Sequence, residues 1–270
     1  AFLPRPEERN PRETWVRPGR PIVPLGHIAE LYGLTGEQSF DIKVLASVLP
    51  FRVNDYVVND LIDWDRIPDD PIFRLTFPQK EMLAEADFSR MADLHRRGAD
   101  KAAILALANE IRHGLNPHPA GQMELNIPTE DGQQLDGIQH KYRETVLFFP
   151  SQGQTCHAYC TFCFRWAQFV GDASLRFKSN DVDRLTDYLA AHQEVTDLLF
   201  TGGDPMVMKT AVFARYIDAL LSDDRLAHVQ TIRIGTKSVA YWPQRYVTDP
   251  DADDLLRLFE RIVASGRTLA

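Results

Sequence analysis

Thr145-Val-Leu-Phe-Phe-Pro-Ser-Gln-Gly-Gln-Thr-Cys-His-Ala-Tyr-Cys-Thr-Phe-Cys163 decides the fold. Its first five residues, Thr145 to Phe149, are apolar or β-branched and read as a short buried strand. The rhythm then repeats. Asn180 to about His192 reads as a helix capped by Asn180, with Val182, Leu185 and Leu189 turned inward. Leu198-Leu-Phe-Thr201 is a second strand, followed by a helix over 210–221. Thr231-Ile-Arg-Ile-Gly235 is a third, followed by a helix over 253–264, and Arg267-Thr-Leu-Ala270 begins a fourth. Strand–helix alternation at this spacing implies right-handed βαβ units and a parallel sheet, so the class is α/β. In parallel sheets of this kind the loops after the strands carry the chemistry. Cys156 follows the first strand and Gly202-Gly-Asp204 the second, so both face one end of the sheet.

Residues 1–140 read differently, as an extended proline-rich arm over 1–24 and then a mostly helical region. Pro50 divides the apolar stretch from Ser39 to about Asp63 into two helices, and Asp69-Asp-Pro and Phe77-Pro read as breakers. A helix from about Asp100 to His113 has Asp100 as its cap, one apolar face and Gly114 at its end. Asn116 to Gly121 is a turn-rich connector. The expected domains are 1–140 and 141–270.

Hydrophobic residues make up 44% and charged residues 25%, as in a globular protein with a sizeable core. A net charge of −8 removes the usual reason to expect nucleic acid as a partner. No apolar run approaches a membrane span and the first residues lack an export signal, so the expected location is the cytoplasm.

All three cysteines fall within eight residues, which suits a metal and not a disulfide framework. Three thiolates can hold three irons of a [4Fe–4S] cluster, and with no fourth cysteine one iron keeps open positions for chemistry. The competing reading is a structural zinc or iron–sulfur loop without catalysis. His157 is a poor fourth zinc ligand because it adjoins Cys156, whereas a distant histidine stays open. Gly202-Gly203-Asp204-Pro205, about 40 residues further on, lets backbone approach a ligand closely and offers a carboxylate to an ammonium group.

The Cys-x3-Cys-x2-Cys loop and Gly-Gly-Asp together match the signature of the radical S-adenosylmethionine superfamily. Over residues 39–270 the chain resembles its lysine 2,3-aminomutase branch. The likeness rests on Asp60-Leu-Ile-Asp, Asp69-Asp-Pro-Ile, His140-Lys-Tyr142, the cysteine loop and Leu199-Phe-Thr-Gly-Gly-Asp-Pro. It extends through Ile232-Arg-Ile-Gly-Thr-Lys-Ser and Pro243-Gln-Arg245. The resemblance implies a partial (β/α) barrel whose cluster sits on Cys156, Cys160 and Cys163. Phe162 would lie near the adenine of S-adenosylmethionine, and Gly202, Gly203 and Asp204 would hold its methionyl amine. It implies that Arg165 binds a substrate carboxylate, and that Lys141, Tyr142 and Arg245 surround the phosphate of pyridoxal 5′-phosphate. The reaction implied is radical 1,2-amino migration in a small amino acid, or in a protein-borne lysine. The implied partners are a flavodoxin- or ferredoxin-type reductant and, in a homo-oligomer, further copies of the chain.

Three departures bear on this. The arginines usual after the last cysteine are reduced to Phe164-Arg165-Trp166, no Gly-rich loop with a cofactor lysine occurs in 1–270, and the residues that read a lysine side chain are not visible. Ala270 falls inside the fourth strand, so the expectation is a truncated barrel.

Overall fold

The computed structural model describes residues 22–118, 121, 123–130 and 132–270. The expected extended arm lies outside them up to residue 21, and so do residues 119 and 120 of the expected connector. The described chain forms two compact units, one of 22–118 with His157–Leu175, the other of 121–156 with Arg176–Ala270.

The first unit is helical: α1 Leu25–Tyr32, α2 Gly36–Val48, α3 Pro71–Thr76, α4 Glu85–Arg96 and α5 Lys101–Gly114. Local chemistry sets the starts of three of them. Thr35 and Gln38 form a reciprocal capping box before α2, and Asp100 accepts from Ala103 N–H before α5. Asp69-Asp-Pro, expected to break structure, instead starts α3: Asp70 accepts from Phe73 N–H and Pro71 takes the first helical position. Beyond Pro50 the second expected helix is reduced to a single π-helical turn, Val57–Leu61. Helices α2, α4 and α5 share a core that includes Leu45, Val48, Phe88, Met91, Ala108 and Ile111, and Trp166 packs against it. The buried Arg112 donates from Nε to Val48 O at 2.7 Å and from Nη2 to Ser47 O at 2.9 Å. It thereby satisfies carbonyls that the end of α2 leaves open.

The second unit carries β1 Thr129–Glu130, β2 Gln133–Gln134, β3 Ile138–Tyr142, β4 Thr145–Phe148, α6 Val182–Ala191, β5 Asp197–Phe200, α7 Thr210–Ser222, β6 Thr231–Ile234, α8 Ser238–Tyr241, α9 Ala252–Ala264 and β7 Thr268–Leu269. Strands β1 and β2 pair with each other. The main sheet has the order β3-β4-β5-β6-β7. From β4 onward the strands are parallel, as the alternation requires, in the register Phe148–Phe200–Ile234. The strand expected to be first is in fact the second, because β3 pairs antiparallel with β4 at the edge. The cap of α6 is Asp181, one residue beyond the expected Asn180.

Val146, Phe148, Leu198, Phe200 and Ile232 face Leu185, Leu189, Phe213, Ile217, Leu255, Leu258 and Ile262, so α6, α7 and α9 cover one face of the sheet. The observed class is mixed α/β. Among the described residues no helix is long and apolar enough to cross a membrane.

Candidate functional site

Tyr159 and Thr161, within the cysteine loop, are anchored on backbone carbonyls of the helical unit. In the helical unit Thr161 donates its N–H to Leu75 O at 2.8 Å and its hydroxyl to Arg74 O at 2.9 Å. Both acceptors belong to the last turn of α3, whose carbonyls have no helical partner. Tyr159 N–H donates to Arg52 O at 2.9 Å, and its ring stacks on Phe169 at 4.7 Å. Two tight turns follow, with Cys163 N–H on Cys160 O and Trp166 N–H on Cys163 O, each at 3.1 Å. They set Cys160 and Cys163 beside a cavity of about 330 Å³, also lined by Pro78, Met82, Phe162 and Trp166.

The three thiols are unbridged and half-buried. Burial pushes the Cys163 thiol up, while the backbone N–H of Arg165 donates to it and works in the opposite direction. Arg165 itself is half-buried, with its pKa pushed down by burial against the pull of Cys163. Its guanidinium lies 5.1 Å from the centre of the Phe164 ring. Phe162 and Phe164 are exposed.

In the sheet unit, Gly202-Gly203-Asp204 leaves the carboxyl end of β5 and locks onto the segment that leads into Cys156. Gly202 has φ +127°, and a Cβ there would lie 2.1 Å from Gln154 Nε2. At Gly203 a Cβ would meet the Thr155 backbone at 2.4 Å, a contact that no side-chain rotation relieves. Asp204 N–H donates to Gly153 O at 3.0 Å and to Thr155 O at 2.7 Å. The Asp204 carboxylate is buried. Oδ1 accepts from Met206 N–H at 2.9 Å and the Thr236 hydroxyl at 2.7 Å, and Oδ2 from Lys237 N–H at 2.9 Å. Thr236, Lys237 and Ser238 were visible in the sequence as part of Ile-Gly-Thr-Lys-Ser, but only the fold shows what they touch.

A family profile described as a 4Fe-4S single cluster domain matches residues 143–231, from the start of β4 into β6. A protein of Aquifex aeolicus provisionally named L-lysine 2,3-aminomutase is 30% identical over 239 residues, 88% of this chain and 50% of that one. L-lysine 2,3-aminomutase of Haemophilus influenzae is 35% identical over 123 residues, 46% of this chain and 34% of that one. L-lysine 2,3-aminomutase of Bacillus subtilis is 21% identical over 225 residues, 83% of this chain and 39% of that one. The chain belongs to the lysine 2,3-aminomutase family, within the radical S-adenosylmethionine superfamily. It spans about half the length of the first of these relatives and less of the others.

The donor set suits the cluster of this family. Among the described residues no group of three or more His, Cys, Asp or Glu gathers on a single-ion position. Three cysteine thiols are the donor chemistry that a [4Fe–4S] cluster takes, one thiolate to each of three irons.

The residues expected at a cofactor phosphate do not fit one. Tyr142 pairs with Thr145 across the hairpin, which puts Lys141 and Tyr142 at the amino end of β4, opposite the end that Cys156 and Gly202 leave. Both are exposed, with Lys141 Nζ 5.5 Å from the centre of the Tyr142 ring. Arg245 is fully buried. Nε donates to Met206 O at 3.0 Å, Nη1 to Asp251 Oδ1 at 2.9 Å, and Nη2 to Thr210 Oγ1 at 3.0 Å and Met208 O at 3.2 Å. Every guanidinium nitrogen is engaged, so Arg245 fastens the loop after β5 to the loop after β6. Burial works to raise the Asp251 pKa, but hydrogen bonds from Thr210 and the Arg245 charge hold it below the ordinary carboxylate value.

Proposed function

We propose that this chain carries the S-adenosylmethionine-cleaving centre of a radical isomerase, with a [4Fe–4S] cluster on Cys156, Cys160 and Cys163. When bound, such a cluster supplies the electron that splits S-adenosylmethionine into methionine and a 5′-deoxyadenosyl radical. The single observation that carries the reading is the lock between Gly202-Gly203-Asp204 and the Gly153–Thr155 backbone. It joins Gly-Gly-Asp to the residues that lead into Cys156, which supports the reading.

The protein's own residues have defined tasks in this reading. The Gly202–Asp204 backbone and carboxylate receive the methionyl amine, and Phe162 packs beside the adenine. Arg165 binds a substrate carboxylate through two parallel hydrogen bonds. The fold is a partial (β/α) barrel, and the reaction is 1,2-amino migration in a small amino acid. A flavodoxin- or ferredoxin-type protein provides the electron, in the cytoplasm. Pyridoxal phosphate belongs to the proposal through the family alone and enters no step here, because Lys141, Tyr142 and Arg245 do not form its phosphate site.

The test is anaerobic reconstitution with iron and sulfide, followed by assay of 5′-deoxyadenosine under reducing conditions. The expected result is a brown protein that forms 5′-deoxyadenosine, and a Cys160→Ala variant that loses both properties. A colourless protein that holds zinc, or full turnover by Cys160→Ala, would overturn the proposal.

A further inference from the structure

The loop after β6 reaches Asp204 through a chain of hydroxyl groups whose donor order can be worked out. Thr236 Oγ1 lies 2.7 Å from Asp204 Oδ1, an acceptor, so the single Thr236 hydroxyl proton is committed there. Ser238 Oγ is 2.7 Å from the same Thr236 oxygen and must then be the donor. Ser238 N–H, at 3.0 Å, takes the other lone pair of that oxygen. Tyr246 OH, 2.6 Å from Ser238 Oγ, donates in turn. The chain therefore runs one way, from Tyr246 through Ser238 and Thr236 to Asp204. Hydrogen bonds aligned in one direction polarise one another, and this alignment strengthens the last of them. Burial raises the Tyr246 phenol above its ordinary pKa, so its proton stays in place at neutral pH.

We infer that Thr236 is a positioning residue for S-adenosylmethionine: it fixes the Asp204 carboxylate that receives the methionyl amine, with Ser238 and Tyr246 fixing Thr236. The inference rests on the proposed S-adenosylmethionine site. Thr236 does not touch the reacting atoms. Its hydroxyl holds one Asp204 oxygen, while Lys237 N–H and Met206 N–H hold the carboxylate from two other directions. A carboxylate held by three donors from two loops has one orientation, and an ammonium group binds best to an acceptor that does not have to reorganise.

The experiment compares wild type, Thr236→Val, Thr236→Ser and Tyr246→Phe. All are purified and reconstituted alike, with iron and sulfide measured per chain. Amide hydrogen exchange at 204–206 and 236–238 reads the chain of bonds without any ligand. Calorimetric titration reads S-adenosylmethionine affinity. Thr236→Val should keep its cluster, lose protection at both segments and bind S-adenosylmethionine roughly tenfold more weakly, as for one hydrogen bond to a charged group. Thr236→Ser should restore both readouts, and Tyr246→Phe should fall between wild type and Thr236→Val. Lost protection with unchanged affinity would overturn the positioning role while leaving the proposed function intact. A wild-type protein that holds the cluster but binds no S-adenosylmethionine would overturn the function, and the inference with it.

Discussion

Replacing Arg245 by Met separates the two tasks a buried arginine at this position could have. The substitution keeps the apolar stem and removes the charge and its donors. It leaves Asp251 without its charged partner, with the Thr210 N–H still donating to its carboxylate, and the carbonyls of Met206 and Met208 without the Arg245 donors. Removing one member of a buried ion pair typically costs about 3–5 kcal/mol. The Asp251 side chain is 32% exposed, so water can solvate it in the variant, and the cost falls toward the lower end, about 3 kcal/mol. With a urea slope of roughly 2–3 kcal/mol per molar, the unfolding midpoint drops by about 1–1.5 M. The assay is urea unfolding followed by circular dichroism, on wild type, Arg245→Met, Asp251→Leu and the double variant. The double variant should be less destabilised than the sum of the singles, because it strands neither charge. A midpoint unchanged in Arg245→Met, combined with a raised requirement for pyridoxal phosphate, would refute the structural role and restore the phosphate contact.

Further outcomes follow from the same contacts. Because the Asp251 pKa is depressed in the folded protein, its contribution is present above about pH 4 and disappears as pH falls through the lower folded value. The gap in urea midpoint between wild type and Arg245→Met should therefore narrow between pH 5 and about pH 3. Gly203→Ala puts a methyl group into the Thr155 backbone and should abolish S-adenosylmethionine cleavage, read as 5′-deoxyadenosine. Gly36→Ala, in open space in the first turn of α2, should unfold no earlier than wild type and gain up to about 1 kcal/mol. Arg165→Gln keeps the backbone N–H that meets Cys163, so cluster content should hold. Its requirement for an amino-acid substrate should rise by about 2–5 kcal/mol of lost binding, and Arg165→Lys should recover only part of it, measured as product from a panel of α-amino acids.

The residues differ in how openly the sequence shows their roles. Helix α5 was legible because Asp100, the apolar face and the end at Gly114 are local signals. Helix α4 was not: only Phe88, Met91 and Ala92 are buried along a mostly polar run, too few to stand out as a period. Strand β3 was missed for a related reason. Among Ile138-Gln-His-Lys-Tyr142 only Ile138 is buried, and the strand exists because β4 offers it a free edge.

By itself the sequence determined the parallel strands β4 to β7, the helices α6, α7 and α9 between them, the three-cysteine loop and its family, because apolar period, caps and ligand spacing are properties of neighbouring residues. Only the tertiary structure decided what the polar residues do. The family resemblance puts Arg245 at a phosphate, and in the fold it is a buried clamp. Asp204 reads as a lone acid and is tied to Thr236 and Lys237, more than thirty positions away. Lys141 lies only fifteen residues before Cys156 and yet sits at the opposite end of the sheet. A charged side chain takes its role from the donors and acceptors that distant segments bring to it. Sequence spacing fixes those only where the partners are neighbours along the chain.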